Sequence, residues 1–417
     1  MIAFPCIYFS ILALFFFIRY RKIDLACFIS LLYAITGYFS IILDRSGVYA
    51  GYSMSAWAVL VYCGLISLMI LPMAMNSNAT ISYIKPIANV KLFKIVAWIA
   101  FGYFFVWALL SFDSIMNILT SDMAQARNAV YQGISEDSWM GRLPGPVRLV
   151  VAGLNMCLGA SWVLQFLAFY SLAVLKLPIK YFVVLLLVST QGPLGGMMGA
   201  DRSATAYWII GLIACMLFFY SFLSKKEKRW VSIFSVVLIG AFAIYLSAMT
   251  VSRFEDSRSI GGVEGSLISY FGQNYINFCH FFDTFTTPET TLEMIFPLTY
   301  NLLGEGFGSA VATQEYFTLL TGTKTGIFYT FLGLIMFSAG KVPMAIYAIV
   351  VFCVSFMMLQ RPKKRVSNLK DCYLQILFAS ILFLGLFGHY YAAATKTFSV
   401  IFFYFLITYL CRGRVIK

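Results

Sequence analysis

The chain is short of charge and almost without histidine. Only 11% of its 417 residues are Asp, Glu, Lys or Arg, where soluble domains carry about 25%. Disorder is excluded, because disordered segments combine few apolar residues with many charges. With 61% hydrophobic residues, a soluble fold of this length could not cover its own apolar surface. Cysteine does not build a scaffold either: of nine, only Cys279 lies outside the apolar segments and their ends, so no outer pair exists to cross-link. The two histidines, His280 and His389, are isolated in the sequence, which argues against a zinc site. Nucleotide motifs are missing as well. Gly304-Glu305-Gly306-Phe307-Gly308 follows no strand, Gly322–Gly326 lacks phosphate-loop spacing, and no Asp-x-Asp pair occurs.

What is present is a series of apolar runs. A spanning helix needs about 20 apolar residues, and eleven such segments can be read: 1–18, 25–43, 56–74, 95–112, 149–174, 181–194, 204–223, 230–251, 342–359, 372–388 and 397–411. The sixth runs into Gly195, Gly196 and Gly199, which blurs its end. The expectation is one all-α polytopic integral membrane domain over 1–417, with about 11 transmembrane helices (10–12). Arg19, Arg21 and Lys22 follow the first run instead of preceding it. That order is the reverse of a signal peptide, so the run reads as a retained first span.

The net charge is +13. Nucleic acid would be its partner in a soluble protein; here the charges sort by side. Loops 19–24, 75–94, 175–180, 224–229, 360–371 and the tail from Cys411 carry 20 basic and 3 acidic residues, against 10 and 14 elsewhere. Basic loops stay cytoplasmic, which places the C-terminus inside and the N-terminus outside. The large loops, 113–148 and 252–341, then face outward. The inner loops are too short for a nucleotide-binding domain, and the spans carry almost no ionisable residues, which weighs against an ion-driven pump.

Four constellations lie on the outer side. Asp122 to Gly133, with Arg127 and Tyr131, reads as a helix on the membrane surface, followed by Arg142 and Arg148; lipid-phosphate contact is the plain alternative. Asp201-Arg202-Ser203 forms a tight hairpin in which Asp201 can simply pair the arginine. Arg253, Glu255, Asp256 and Arg258 precede Gly261, Gly262 and Gly265. They suit an anion site with a nearby base, since arginine grips phosphate bidentately, or a self-paired surface cluster. In the fourth, Leu267, Phe271, Phe278 and Phe282 recur at helical spacing while Gln273, Asn274, Asn277 and His280 share the remaining surface. Flat rings and amides are what a sugar groove uses; an interfacial aromatic belt is the other reading. The ligand that fits all four is an amphiphile with an anionic phosphate and a hydroxyl-rich head.

The pattern resembles the Wzy-type O-antigen or capsular repeat-unit polymerases of bacteria. Carrying the resemblance are Arg21-Lys22-Ile23-Asp24, Ala126-Arg127 with Tyr131-Gln132-Gly133, Asp201-Arg202-Ser203-Ala204, Arg253 with Arg258, and the run from Tyr270 through Gln273-Asn274-Tyr275 to Asn277. Thirteen residues lie between Arg127 and Gly141 and between Arg258 and Gly272, a departure from the family's Arg-x10-Gly and Arg-x15-Gly spacings. The resemblance implies a GT-C-like membrane glycosyltransferase with two large periplasmic loops in the bacterial inner membrane. It implies transfer of a growing glycan from undecaprenyl pyrophosphate to an incoming lipid-linked repeat unit, without metal or cofactor. A Wzz-like chain-length regulator and membrane lipids are the implied partners, with no nucleic acid. On this reading Arg127, Arg202, Arg253 and Arg258 hold pyrophosphates, and Glu255, Asp256, Asp201 or His280 supplies the base. An O-antigen ligase and a lipid-linked oligosaccharide flippase are the rival functions.

Overall fold

The computed structural model describes residues 1–47, 49–120, 143–198, 202–254, 262–285, 291–304, 319, 329–359 and 366–412. Its helices, in chain order, are α1 (Phe4–Tyr20), α2 (Leu25–Arg45), α3 (Ala56–Met75), α4 (Val90–Thr120), α5 (Gly145–Leu158), α6 (Ser161–Ala173), α7 (Ile179–Ser189), α8 (Gln191–Met198), α9 (Ser203–Phe219), α10 (Lys225–Phe254), α11 (Gly262–Thr284), α12 (Pro297–Leu303), α13 (Phe331–Ala339), α14 (Lys341–Met358), α15 (Leu369–Phe383) and α16 (Ala394–Cys411). Two three-residue strands, β1 (Tyr83–Lys85) and β2 (Val366–Asn368), pair in parallel. Among the described residues, eight stretches are long and apolar enough to cross a membrane, nine if the α5–α6 pair, bent by 67°, is one span. The chain is therefore an all-helical, multi-pass membrane protein.

Each of the eleven apolar segments coincides with helix, but α1 and α15, at 17 and 15 residues, are shorter than the about 20 residues a span requires. The 149–174 segment is not one straight helix. It breaks between Leu158 and Ser161, where Gly159 sits.

The residues divide into two compact units: Met1–Ser82, Arg258–Arg365 and Leu374–Thr397 form the first; Tyr83–Ser257, Val366–Tyr373 and Phe398–Lys417 form the second.

In unit 1, buried side chains join one end of the α2–α3 pair. The Asp24 carboxylate accepts from Cys27 N (2.8 Å) and Ser77 Oγ (2.5 Å), and Leu25 N donates to Asn78 Oδ1 (3.0 Å). These bonds satisfy amides that a helix N-terminus leaves open. Ser55 caps α3 at the other end through Ala58 N (3.0 Å). The 21 residues of α2 separate the two ends by about 30 Å.

Close packing in unit 1 depends on glycine. A Cβ on Gly37 would lie 2.8 Å from Cys6 N, and one on Gly272 would lie 2.6 Å from Phe39 O. Gly272 therefore lets α11 rest directly on the α2 backbone, where Ser40 Oγ donates to Gly272 O at 2.6 Å. α13 is core, with Phe331, Leu332, Ile335 and Met336 fully buried. The segment read as an outer loop over 252–341 consequently contributes two packed helices to unit 1. Its interspersed amides hide those helices from an apolar-run reading. The other presumed loop, 113–148, is shortened at both ends, because α4 runs to Thr120 and α5 starts at Gly145.

In unit 2, several of the basic loops meet. β1 pairs with β2, joining loop 75–94 to loop 360–371. Lys176 pairs with Glu227 at 3.0 Å, joining 175–180 to 224–229. Tyr170, near the end of α6, accepts from Ile87 N at 3.0 Å. Grouping these loops by charge agrees with the pairing seen inside the unit.

Candidate functional site

The most developed polar cluster in unit 1 lies where the 46–55 connection meets the last turns of α11. That is the end of the α2–α3 pair away from Asp24 and Ser77. On a helix, positions four and seven apart share a face, and Gln273, Asn277 and His280 do so here. Short-range bonds, Ala50 N to Gly47 O (3.2 Å) and Tyr52 N to Tyr49 O (2.9 Å), curl the connection so that its tyrosines meet that face. Tyr49 Oη donates to Gln273 Oε1 at 3.2 Å. Tyr52 stacks on His280 with ring centroids 4.0 Å apart and also meets Tyr49 edge-on at 4.8 Å. One turn on, Asp283 accepts from Ser55 N and Ser55 Oγ, both at 2.6 Å.

His280 Nδ1 accepts from Ser53 N at 3.1 Å. An imidazole accepting at Nδ1 carries its proton on Nε2. In this arrangement His280 offers a neutral hydrogen-bond donor, not a free base. Burial pushes its pKa below the ordinary 6.5, opposed by the nearby Asp283 carboxylate. Tyr49 is pushed up to about 12 by burial and by Tyr52 beside it, so its hydroxyl stays a donor. Tyr329 joins the same neighbourhood. It is 1% exposed, its hydroxyl has no partner among the described residues, and burial with the adjacent Tyr52 and Tyr49 holds it protonated.

A second stripe of α11 is more deeply buried. Asn274 is 1% exposed, and neither end of its amide has a hydrogen-bond partner among the described residues. Leaving such a group unpaired costs roughly 1–3 kcal/mol. Asn277 is fully buried beside it. Tyr275 is structural: its ring packs 5.2 Å from Tyr62 and its hydroxyl donates to Met1 O at 3.4 Å. Phe278 stacks on Phe282 and both are buried, so these two rings are core rather than an exposed belt, while the half-buried Phe271 stacks on Phe39.

Of the residues singled out in the sequence, this cluster unites Gln273 and His280, while Asn274 and Asn277 lie on the buried stripe of the same helix. Arg202 is the half-buried N-cap of α9 in unit 2, and Arg253 lies in the last turn of α10. Arg127, Tyr131, Asp201, Glu255, Asp256 and Arg258 fall outside the described residues. Sequence reading missed Tyr49, Tyr52, Ser53, Ser55, Asp283 and Tyr329. The available signal was the run Tyr49-Ala50-Gly51-Tyr52-Ser53-Met54-Ser55, a connection crowded with hydroxyl-bearing side chains.

Chemically the cluster presents two stacked aromatic faces, amides, phenolic donors and a neutral imidazole. Such a set recognises hydroxyls and acetal oxygens through paired donors and acceptors, with ring faces for apolar sugar surfaces. No family model, curated protein or solved structure matches this chain.

Proposed function

We propose that the chain is a Wzy-type polymerase that joins undecaprenyl-pyrophosphate-linked oligosaccharide repeat units at the periplasmic face of the bacterial inner membrane. The observation that carries this reading is the Tyr49–Tyr52–Gln273–His280 cluster. It lies at the end of the α2–α3 pair opposite the buried Asp24–Ser77 knot, which belongs to the loops rich in Lys and Arg. Read with the charge rule, this supports an outward position for the sugar-type cluster, where a lipid-linked repeat unit is presented after translocation.

On this reading the cluster holds the glycan, with Tyr52 stacked against a sugar face and His280 Nε2–H donating to a ring or hydroxyl oxygen. The resemblance points to Arg127, Arg202, Arg253 and Arg258 as the groups that bind the donor and acceptor pyrophosphates. Neutralising the charge that develops on departing undecaprenyl pyrophosphate is electrostatic catalysis, worth several kcal/mol per well-placed donor. The acceptor hydroxyl attacks the anomeric carbon and loses its proton to a carboxylate, for which Asp201, Glu255 and Asp256 are the candidates. The glycosidic bond forms as the bond to the pyrophosphate breaks. No metal or other cofactor enters the scheme.

The test is the polysaccharide gel of a deletion strain and its complemented control. A core bearing a single repeat unit, with the full ladder restored by the gene, supports the polymerase. Core without repeats beside lipid-linked polymer would make the protein a ligase. Repeat units trapped on the cytoplasmic side would make it a flippase. Arg253→Lys and Arg258→Lys should each shorten the ladder, because lysine lacks the bidentate fork.

A further inference from the structure

Unit 2 contains an uncharged polar cluster where α5 meets α6 and α8 begins, beside the middle of α4. α5 and α6 meet at a 67° break. The 13 residues of α6 place that break about 20 Å from the 174–178 connection, well within an apolar layer of about 30 Å. Non-helical backbone at such depth persists only where protein or a polar cavity satisfies it. Ser399 satisfies part of it: Ala160 N donates to Ser399 Oγ at 3.1 Å, and Ser399 Oγ donates to Cys157 O at 2.7 Å. The N-terminus of α6 has no side-chain cap.

Side chains from neighbouring helices converge beside this break. Gln191 Nε2, at the start of α8, donates to Tyr103 Oη of α4 at 2.9 Å and to Asn155 Oδ1 of α5 at 3.2 Å. Gln191 is 9% exposed, yet its Oε1 has no partner among the described residues. Ser161 of α6 lies alongside, since a Cβ built on Gly192 would be 3.5 Å from Ser161 Oγ.

We propose that Tyr103, Asn155, Ser161 and Gln191 form a binding site inside unit 2 for a neutral, hydroxyl-bearing group, such as the sugar of a glycolipid. The unused valences define the ligand. Gln191 Oε1 accepts; Tyr103, having accepted from Gln191, can still donate its own proton; Ser161 does both. A bare cation finds too few acceptors here and faces the positive end of α6. An anion finds no cationic side chain among these four. A hydroxyl donates and accepts at once and needs no counter-charge. Four side chains from four helices also exceed what a single ordered water would need, since such a water makes about three bonds.

The test uses the purified full chain in polyoxyethylene-ether micelles, which bring no sugar. Octyl β-D-glucoside is titrated below its micellar concentration, beside octyl tetraethylene glycol, which shares the tail and carries one terminal hydroxyl. Thermal unfolding reports occupancy by mass action. The glucoside is expected to raise the unfolding temperature and the ether is not. Gln191→Leu should leave the ligand-free protein folded and weaken the apparent glucoside affinity about tenfold, the effect of one lost buried hydrogen bond. If Gln191→Leu does not fold, Tyr103→Phe removes one donor with little change of shape and must weaken binding as well. Equal responses to both amphiphiles, or a variant that responds like the wild type, would overturn the proposal and leave the cluster holding ordered water. The readout needs no polymerase activity, so it succeeds or fails independently of the function proposed for the chain.

Discussion

The two units keep their polar side chains under different rules. At the 46–55 end of unit 1 the cluster includes an imidazole and a carboxylate, each tied to the Ser53–Ser55 segment. Inside unit 2 the cluster around Gln191 consists only of amides and hydroxyls. The difference follows from the cost of charge. An ionisable group is tolerable where water reaches it and expensive in the apolar layer, whereas an amide needs only partners. Unit 1 also holds its site by backbone-to-backbone contact at Gly272, while unit 2 bends a helix and repairs the break with one serine.

The largest effect is expected at that contact. Gly272→Ala places a methyl against Phe39 O and Ser40 N, atoms that cannot rotate away. It should cost roughly 1–3 kcal/mol in unfolding stability and shift α11 enough to abolish the cluster's function. Gly240→Ala in unit 2 meets nothing within 4 Å and should be neutral or stabilising by up to about 1 kcal/mol. Equal losses at both positions in a thermal denaturation series would dissolve the contrast.

An effect of similar size on stability and opposite sign is expected at Asn274. Because neither end of its amide is paired among the described residues, Asn274→Leu removes an unmet polar group and should stabilise by about 1–3 kcal/mol. If Asn274 is retained for glycan binding, the same variant should lose ladder length while it gains stability. Gln191→Leu in unit 2 removes two formed bonds along with one unmet atom, so its stability change should be close to zero.

His280 sharpens the comparison through pH. Burial lowers its folded pKa below 6.5. A group with a lowered basic pKa stabilises the fold above its unfolded value, and that contribution fades as pH falls through the folded value. Protonating Nδ1 also displaces Ser53 N–H. Stability and activity should therefore both show an acid limb below about pH 6.5. The limb should vanish in His280→Gln, which keeps a donor near the Nε2 position without titrating. An unchanged acid limb in that variant would assign the titration elsewhere.

The smallest effect is expected at Asp283. It is exposed, and Asp283→Asn keeps an acceptor for Ser55, so a loss of about 0.5–1 kcal/mol is expected. Thermal denaturation beside Gly272→Ala checks the ranking.

Much of this was legible from composition. Eleven apolar segments coincide with helices because burial in hydrocarbon requires every backbone group to bond internally. Charge sorting grouped on one side the loops that Lys176–Glu227 and the β1–β2 pair join, though it did not say which of them meet. The packed role of α11 was only half legible. Its phenylalanines carry the helical period, but hydropathy alone makes the segment a loop, since Gln273, Asn274 and Asn277 dilute the apolar signal. Gly272 gives no sign in sequence that it touches another backbone. The tyrosine partners were invisible because Tyr49 and Gln273 are far apart in the chain and no local period links them. The 67° bend left only Gly159 as a hint, and glycine is common in membrane helices.

The most direct test of the central claim is elongation by the purified protein in lipid bilayers supplied with undecaprenyl-pyrophosphate-linked repeat unit. Chain length and released undecaprenyl pyrophosphate are followed together, in wild type and in Tyr52→Ala. The expected result is a glycan ladder growing in step with undecaprenyl pyrophosphate release, with both sharply reduced when the ring stacked on His280 is removed. A wild-type protein that releases no undecaprenyl pyrophosphate from intact substrate, or a Tyr52→Ala variant that elongates normally, would contradict the placement of glycan chemistry at this cluster.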